Sequence, residues 1–299
     1  MDHILSSTLV IGLGAVGASV TQHLIAREAP VSVMVRTPRP APAGADLILG
    51  DAASGTDLIR ALETTGADRI ICCAHAPYTE KAWRTQLIPL EQSVLSAAAA
   101  TGAHVTFPES VYAFGPQAHT VTAQSPVAAT GGKPGVRAKL IEARDASTAP
   151  TASVVASDLY GPGCGASMVA HALIIDRVRH GKRPLALINA DIPHAFTFIG
   201  DYARALADAS LNHTTGRVLT PTPPAITQRD FAELAAEAFG TEPRNPLTLR
   251  PWMLRAAGMA DENIGGLREM TWLWDSPRAL ESDLGWSPTP YRQGLSECL

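Results

Sequence analysis

Aromatic residues are scarce in this 299-residue chain, at 5%, and charged residues make up only 17%. So little charge excludes a highly charged, disordered chain. No basic run interleaves with aromatics, and the net charge is −4. Neither a nucleic-acid partner nor an anionic membrane surface is therefore expected. No apolar stretch approaches the ~20 residues of a membrane span. The N-terminus lacks the basic region of a secretory signal, so a soluble, cytoplasmic protein is expected. Cysteine is rare too. Cys72, Cys73, Cys164 and Cys298 show no C-x-x-C spacing and no paired histidines, so no metal site is expected. Cys72 and Cys73 read as small buried hydrophobes, and a nucleophilic role for Cys164 is disfavoured. Gly163-Cys164-Gly165-Ala166-Ser167 lacks the G-x-S-x-G order of a hydrolase elbow.

What is present is an apolar content of 46%, enough for a large core. The most informative stretch is Thr8-Leu9-Val10-Ile11-Gly12-Leu13-Gly14-Ala15-Val16-Gly17, an apolar run that enters G-x-G-x-x-G. Gly12 permits the tight turn out of a strand, Gly14 lets backbone approach a pyrophosphate, and Gly17 lets the next helix pack close. The N-terminus of that helix, at Ala15 and Val16, presents free N–H groups to the phosphates. The second strand, Val31-Ser32-Val33-Met34-Val35, runs into Arg36-Thr37-Pro38-Arg39 without the acid that binds an NAD ribose. Two guanidiniums suit a 2′-phosphate, so NADP(H) is the expected cofactor, with Arg36 the stronger candidate and Arg39 the weaker.

Strand-like runs at 8–13, 31–35, 46–49, 69–74, 103–107 and 152–156 alternate with helical patterns at 16–27, 56–64, 80–101 and 136–146. This alternation predicts an α/β fold, a doubly wound parallel sheet (Rossmann) with a smaller C-terminal mixed α/β substrate-binding region. The expected division is residues 1–157 for cofactor and 158–299 for substrate, with segments near 194–220 returning to the sheet. Further helices are predicted at 166–180, 200–210 and 227–239, and a strand at Arg217-Val218-Leu219-Thr220. Trp272, Trp274 and Trp286 are expected to pack on the core or over a cleft.

Ligands of such sheets sit at the carboxyl edge, so residues just after strands are the candidates for chemistry. After the fourth strand stands His75, a possible proton donor with an ordinary pKa near ~6.5. After the fifth come Ser110 and Tyr112, and after the sixth Tyr160. Asp201 is expected to cap a helix, His194 to brace a turn or face substrate, and Arg137 to pair with Glu142 or bind an anion.

Taken together, the glycine motif, Gly50-Asp51-Ala52, Ala76-Pro77-Tyr78-Thr79, Val111-Tyr112-Ala113-Phe114-Gly115-Pro116, Ser157-Asp158-Leu159-Tyr160-Gly161-Pro162-Gly163, Pro193 to Ile199 and Ser287-Pro288-Thr289-Pro290 carry a resemblance. The chain resembles the short-chain dehydrogenase/reductase superfamily, in its extended or atypical branch of NAD-dependent epimerase/dehydratase-like proteins. The resemblance implies that Asp51, with Ala52, lies at the adenine and that Ala74 and His75 line the cofactor path. It also implies a homodimer by analogy. The superfamily's Tyr-x-x-x-Lys is missing. Lys139 stands on the expected helix, but four residues before it is Gly135, and the position four before Tyr112 is Pro108. Three readings follow: an NADP(H)-dependent oxidoreductase or epimerase-like enzyme acting on a carbonyl or enone of a small metabolite, a non-redox cyclase, isomerase or lyase, and an NADP-binding sensor. In the first, Tyr112, Tyr160, Ser110 or His75 supplies the acid and Lys139 reaches the ribose.

Overall fold

The computed structural model describes residues 6–165, 168–257 and 267–299. The chain opens with β1 (Ser7–Ile11), α1 (Ala15–Ala26), β2 (Val31–Val35), β3 (Asp46–Leu49), α2 (Gly55–Thr65) and β4 (Ala67–Cys72). A short turn at Glu80–Ala82 and a π-helical turn at Trp83–Leu87 lead into α3 (Ile88–Thr101). Then follow β5 (His104–Ser110), α4 (Gly132–Asp145), β6 (Thr151–Ala156), α5 (Ile199–Leu211) and β7 (Gly216–Leu219). These strands form one seven-stranded sheet in the order β7-β6-β5-β4-β1-β2-β3, every pair parallel.

The sheet's continuous apolar runs follow from burial on both faces. In β1, Leu9 and Ile11 join Leu58 and Leu62 of α2 and Val94 of α3 on one face. Val10 turns to the other, against Val20 and Leu24 of α1 and Leu206 of α5. Local signals fix the helix ends. The Ser54 hydroxyl accepts from Asp57 N–H at 3.3 Å, and Gly66 closes α2 in the left-handed region at φ 62°.

Strands β2 and β3 coincide with the expected ranges, whereas β1 and β4 end two residues early. Beyond Ile11 the chain turns at Gly12, and the Gly12 N–H donates to Met34 O at 2.9 Å. The helix expected at 166–180 is described as a π-helical turn, His171–Ile175, and a helical turn, Asp176–Arg179. Residues 166 and 167 of that range lie outside the described residues, as do residues 1–5 of the expected cofactor region. The second half contributes a strand to the sheet. It supplies β7, which pairs with β6 from Gly216 opposite Ala152 to Leu219 opposite Val155.

Asp201 corrects its expectation as a cap. It lies in the first turn of α5, but its carboxylate accepts from the Thr289 N–H at 2.7 Å and the Thr289 hydroxyl at 2.9 Å. It therefore ties the C-terminal segment to α5, and burial raises its pKa. The second core is aromatic. Tyr160, Phe196, Phe198, Phe231, Trp274 and Tyr291 are buried together, and Phe196 stacks on Phe231 at 4.3 Å.

One buried ion network positions α4. Arg144 is fully buried, bonded to Glu91 of α3 at 2.7 Å and 2.8 Å, and to Glu109 of β5 at 2.8 Å. It also donates to Ser153 of β6 at 3.1 Å and lies 4.3 Å over the Phe107 ring. With Arg137 Nε 3.5 Å from Glu109 Oε1, two guanidiniums face the two carboxylates, and such pairing is the condition for carrying charge inside a core.

Candidate functional site: a dinucleotide cradle and a polar cleft

At the carboxyl edge of β1, three glycines meet three separate demands. Gly12 has φ +90°, and a Cβ there would stand 2.9 Å from Ala74 N. A Cβ on Gly17 would lie 2.0 Å from Gly12 O, so only glycine lets α1 start this close. At Gly14 a Cβ would meet nothing within 4 Å, which leaves open space above the N-terminus of α1. Ala15 and Val16 begin that helix, whose first turn holds no acidic residue. Free N–H groups, positive helix potential and an open cradle fit a pyrophosphate. Arg39 donates from Nη1 to Leu13 O at 3.1 Å, so its guanidinium lies against the glycine loop. Arg36 is exposed just past β2. Past β3, Asp51 Oδ1 accepts from Ala53 N–H at 3.0 Å, its own N–H donates to Asp57 Oδ2 at 2.9 Å, and Ala52 is buried. Ala74 and His75 follow β4 beside this loop, with Ala74 backing onto Gly12. The residues present thus fit a nicotinamide dinucleotide.

Beyond the cradle, side chains from the ends of β4 and β5 and from α4 converge. The His75 ring is walled by Trp83, 5.1 Å between ring centroids, and by Arg137. Its Nδ1 faces Ala76 O at 2.7 Å and its Nε2 faces Arg137 Nη2 at 2.6 Å. A carbonyl only accepts and a guanidinium only donates, so the proton sits on Nδ1 and Nε2 is bare. Although His75 keeps an exposed edge, desolvation by its packed neighbours and then the Arg137 charge lower its pKa to about 4. This corrects the expectation of a proton donor, because at neutral pH His75 is a neutral link whose two nitrogens are both engaged.

Arg137 likewise departs from its expected partner Glu142. Its Nε lies 3.5 Å from Glu109 Oε1, and its guanidinium lies 4.8 Å over the Trp83 ring. One helical turn earlier, the fully buried Lys133 stands 3.5 Å from Glu269 Oε2 and 4.6 Å over the Tyr78 ring. Glu269 also accepts the Lys133 backbone N–H at 2.7 Å. Burial lowers the Lys133 pKa, and Glu269 opposes that. Tyr78 and Tyr112 bring their hydroxyls to 3.3 Å. Burial holds the Tyr78 phenol up at about 12 and raises that of Tyr112 well above its ordinary value.

Of the expected catalytic residues, Tyr112, Ser110 and His75 lie along this edge. The Ser110 hydroxyl is buried without a partner among the described residues, while its N–H donates to Glu109 Oε1 at 2.7 Å. Lys139 is not brought to them. It is exposed, beside a hollow of about 300 Å³ between α3 and α4 that Gln92 and Leu95 also line. Lys133 and Arg137, four residues apart, occupy the face of α4 that looks at the cleft. Tyr160 is also elsewhere, fully buried in the aromatic core 5.2 Å from Phe231 between ring centroids. Cys164 is buried and its thiol is pushed up to about 12, which does not suit a nucleophile.

Sequence reading did not single out Asp158. Its Oδ2 lies 2.6 Å from Nε2 of His194, a fully buried ring stacked on Trp274 at 4.0 Å. The Ser157 hydroxyl is 3.3 Å from the same Nε2, and His194 Nδ1 is buried without a partner among the described residues. A Ser-His-Asp relay needs serine and carboxylate on opposite ring nitrogens, so this is a carboxylate–imidazole pair and not a nucleophilic triad. The signal was present in Ser157-Asp158, directly after a strand. Beside the cleft, a hollow of about 480 Å³ is lined by Arg255, Arg268, Glu269 and Thr271. Among the described residues no cluster of three potential metal ligands occurs, and no helix is long and apolar enough to cross a membrane.

A parallel doubly wound sheet with this glycine cradle at its carboxyl edge defines an α/β protein of the extended short-chain dehydrogenase/reductase type. The chain belongs to the NAD dependent epimerase/dehydratase family, whose model matches residues 8–219. No curated protein matches it. In structure it is similar to the Bordetella bronchiseptica enzyme WbmH in complex with NAD+, at 13% identity and a TM-score of 0.76, covering 98% of this chain and 96% of that one. It is similar to WbmG of the same organism in complex with NAD and UDP, at 18% identity, TM-score 0.73, and 97% and 92% coverage. A third is the UDP-glucose 4-epimerase of Thermus thermophilus in complex with NAD, at 19% identity, TM-score 0.74, and 97% and 96% coverage.

Proposed function

We propose that the protein is an NADP(H)-dependent oxidoreductase or epimerase-like enzyme, acting on a carbonyl or enone of a small metabolite with an acid other than the usual tyrosine. The observation that carries the reading is the open cradle at Gly14, with Arg36 and Arg39 where an NAD site places an acid. A bound nicotinamide would supply or accept hydride at the substrate carbon. Gly12, Gly14 and Gly17, with the first N–H groups of α1, would hold the pyrophosphate, while Arg36 and Arg39 would take the 2′-phosphate. Neutral Tyr112 and Tyr78 present hydroxyls as donors to a substrate oxygen, and Lys133 and Arg137 supply positive potential against the charge that develops there. The placement of Lys139 outside the cleft supports a second reading, a non-redox isomerisation or elimination on the same fold.

The test is titration of the protein with NADPH and NADH, followed by nicotinamide fluorescence, in the wild type and in Arg36→Ala and Arg39→Ala. The reading expects tighter NADPH than NADH binding and its loss in the variants. Failure to bind either cofactor overturns it.

A further inference from the structure

The Asp158–His194 pair has no place in the chemistry derived so far. Asp158 stands just past the end of β6, on the cleft edge of the sheet. Its Oδ2 is taken by His194 at 2.6 Å, while Oδ1 has no hydrogen-bond partner among the described residues and is not sealed from solvent. The side chain keeps 7% exposure, so it is a largely desolvated carboxylate with one oxygen unpaired among the described residues. Stacking on Trp274 and the 2.6 Å bond hold the pair rigid. Burial is the main cause that raises the Tyr78 and Tyr112 phenols, and the Asp158 charge adds to it, so its negative field reaches both hydroxyls. The nearby cations are already engaged, Lys133 with Glu269 and Arg137 with Glu109. Arg137 opposes Asp158 at both phenols, but among the described residues neither cation pairs with its carboxylate.

We propose that Asp158, aligned by His194, sets the charge class of the substrate: Oδ1 accepts from a hydroxyl or ammonium group, and a phosphate or carboxylate is excluded from that part of the cleft. The proposal deepens the reading above and rests on the same cleft. A rigid, poorly solvated carboxylate is well suited to such discrimination, because an anion beside it meets unscreened repulsion while a donor satisfies its open lone pairs. On this view the substrate is a polyol, amino alcohol or similar neutral-to-cationic metabolite, unlike a nucleoside diphosphate sugar. Arg255 and Arg268, in the adjoining hollow, are the features that would favour the opposite outcome.

The probe is UDP, measured by isothermal titration against the full chain as wild type, Asp158→Asn and His194→Gln. Asparagine removes the charge but keeps an oxygen for His194, and thermal unfolding checks that each variant folds. The expected result is UDP binding at least about tenfold tighter to D158N than to wild type, with H194Q, which keeps the carboxylate, remaining weak. Equal affinity of wild type and D158N, or no binding to either, overturns the proposal. So does an equal gain in H194Q, which would point to pocket shape. NADPH titration of the same samples is the separate control. If wild type binds neither nicotinamide cofactor, the proposed function fails while the UDP comparison still decides the role of Asp158.

Discussion

Arg137 donates from Nη2 to Nε2 of His75 at 2.6 Å, so a helix on one side of the cleft fixes the tautomer of a histidine on the other. With its pKa at about 4, His75 binds fewer protons folded than unfolded between that value and its ordinary ~6.5. Stability therefore rises with pH across this window and falls as pH drops through it. Arg137→Met removes both the bond and the charge, and imidazole NMR should show His75 titrating closer to pH ~6.5. An unchanged low pKa in R137M would leave loss of solvent as the sole cause.

Gly14 and Gly17 predict opposite failures. Gly14→Ala places a methyl in open space, so thermal stability should barely change while NADPH affinity falls by about tenfold or more. Gly17→Ala drives a Cβ to 2.0 Å from Gly12 O, so it should lower stability by about 1–3 kcal/mol or more. Unfolding midpoints beside nicotinamide fluorescence separate the two, and equal destabilisation would contradict this geometry.

Removing Arg144 leaves Glu91 and Glu109 buried with a lost partner each. Arg144→Met should cost about 3–5 kcal/mol by urea unfolding, far more than a surface ion pair. The Arg292–Glu237 pair, with side-chain exposures of 67% and 54%, is the internal control. Arg292→Met should change stability little, and similar losses at both sites would refute the distinction.

Lys139 and Lys133 form a third contrast. Lys139→Ala alters an exposed side chain outside the cleft and should leave stability within about ±0.5 kcal/mol. Cofactor affinity should also hold. Lys133→Ala opens a buried site against Tyr78 and leaves Glu269 without its ammonium. A drop in melting temperature for K133A alone is expected, and the reverse order would place the working lysine at 139.

Most of the sheet was legible because each strand is a short apolar run whose meaning does not depend on distant residues. Val31–Val35 and Asp46–Leu49 match the sequence pattern to the residue, and the glycine motif carries its own geometry. The cleft was less legible, because its contacts join residues far apart in sequence. Nothing local marks Arg137 as the partner of His75, and alignment to a missing Tyr-x-x-x-Lys points to Lys139. The phase of α4 decides otherwise by turning Lys133 and Arg137 inward. Tyr160 follows a strand, as a site residue should, yet burial among Phe198, Phe231 and Tyr291 removes it from the edge. The only sequence signal for Asp158 is its place after a strand, and a lone acid there says little until its imidazole arrives from residue 194.

Strand β7 carries a practical consequence. The chain leaves the sheet after β6, builds part of the outer region, and comes back at Gly216 to cover the β6 edge before leaving for good. Truncation at the apparent seam near 157 would expose a full row of unpaired amides and carbonyls on a central-type strand, an invitation to aggregate. Recombination between relatives should therefore place its crossover after Leu219, so that the cofactor half inherits its own closing strand.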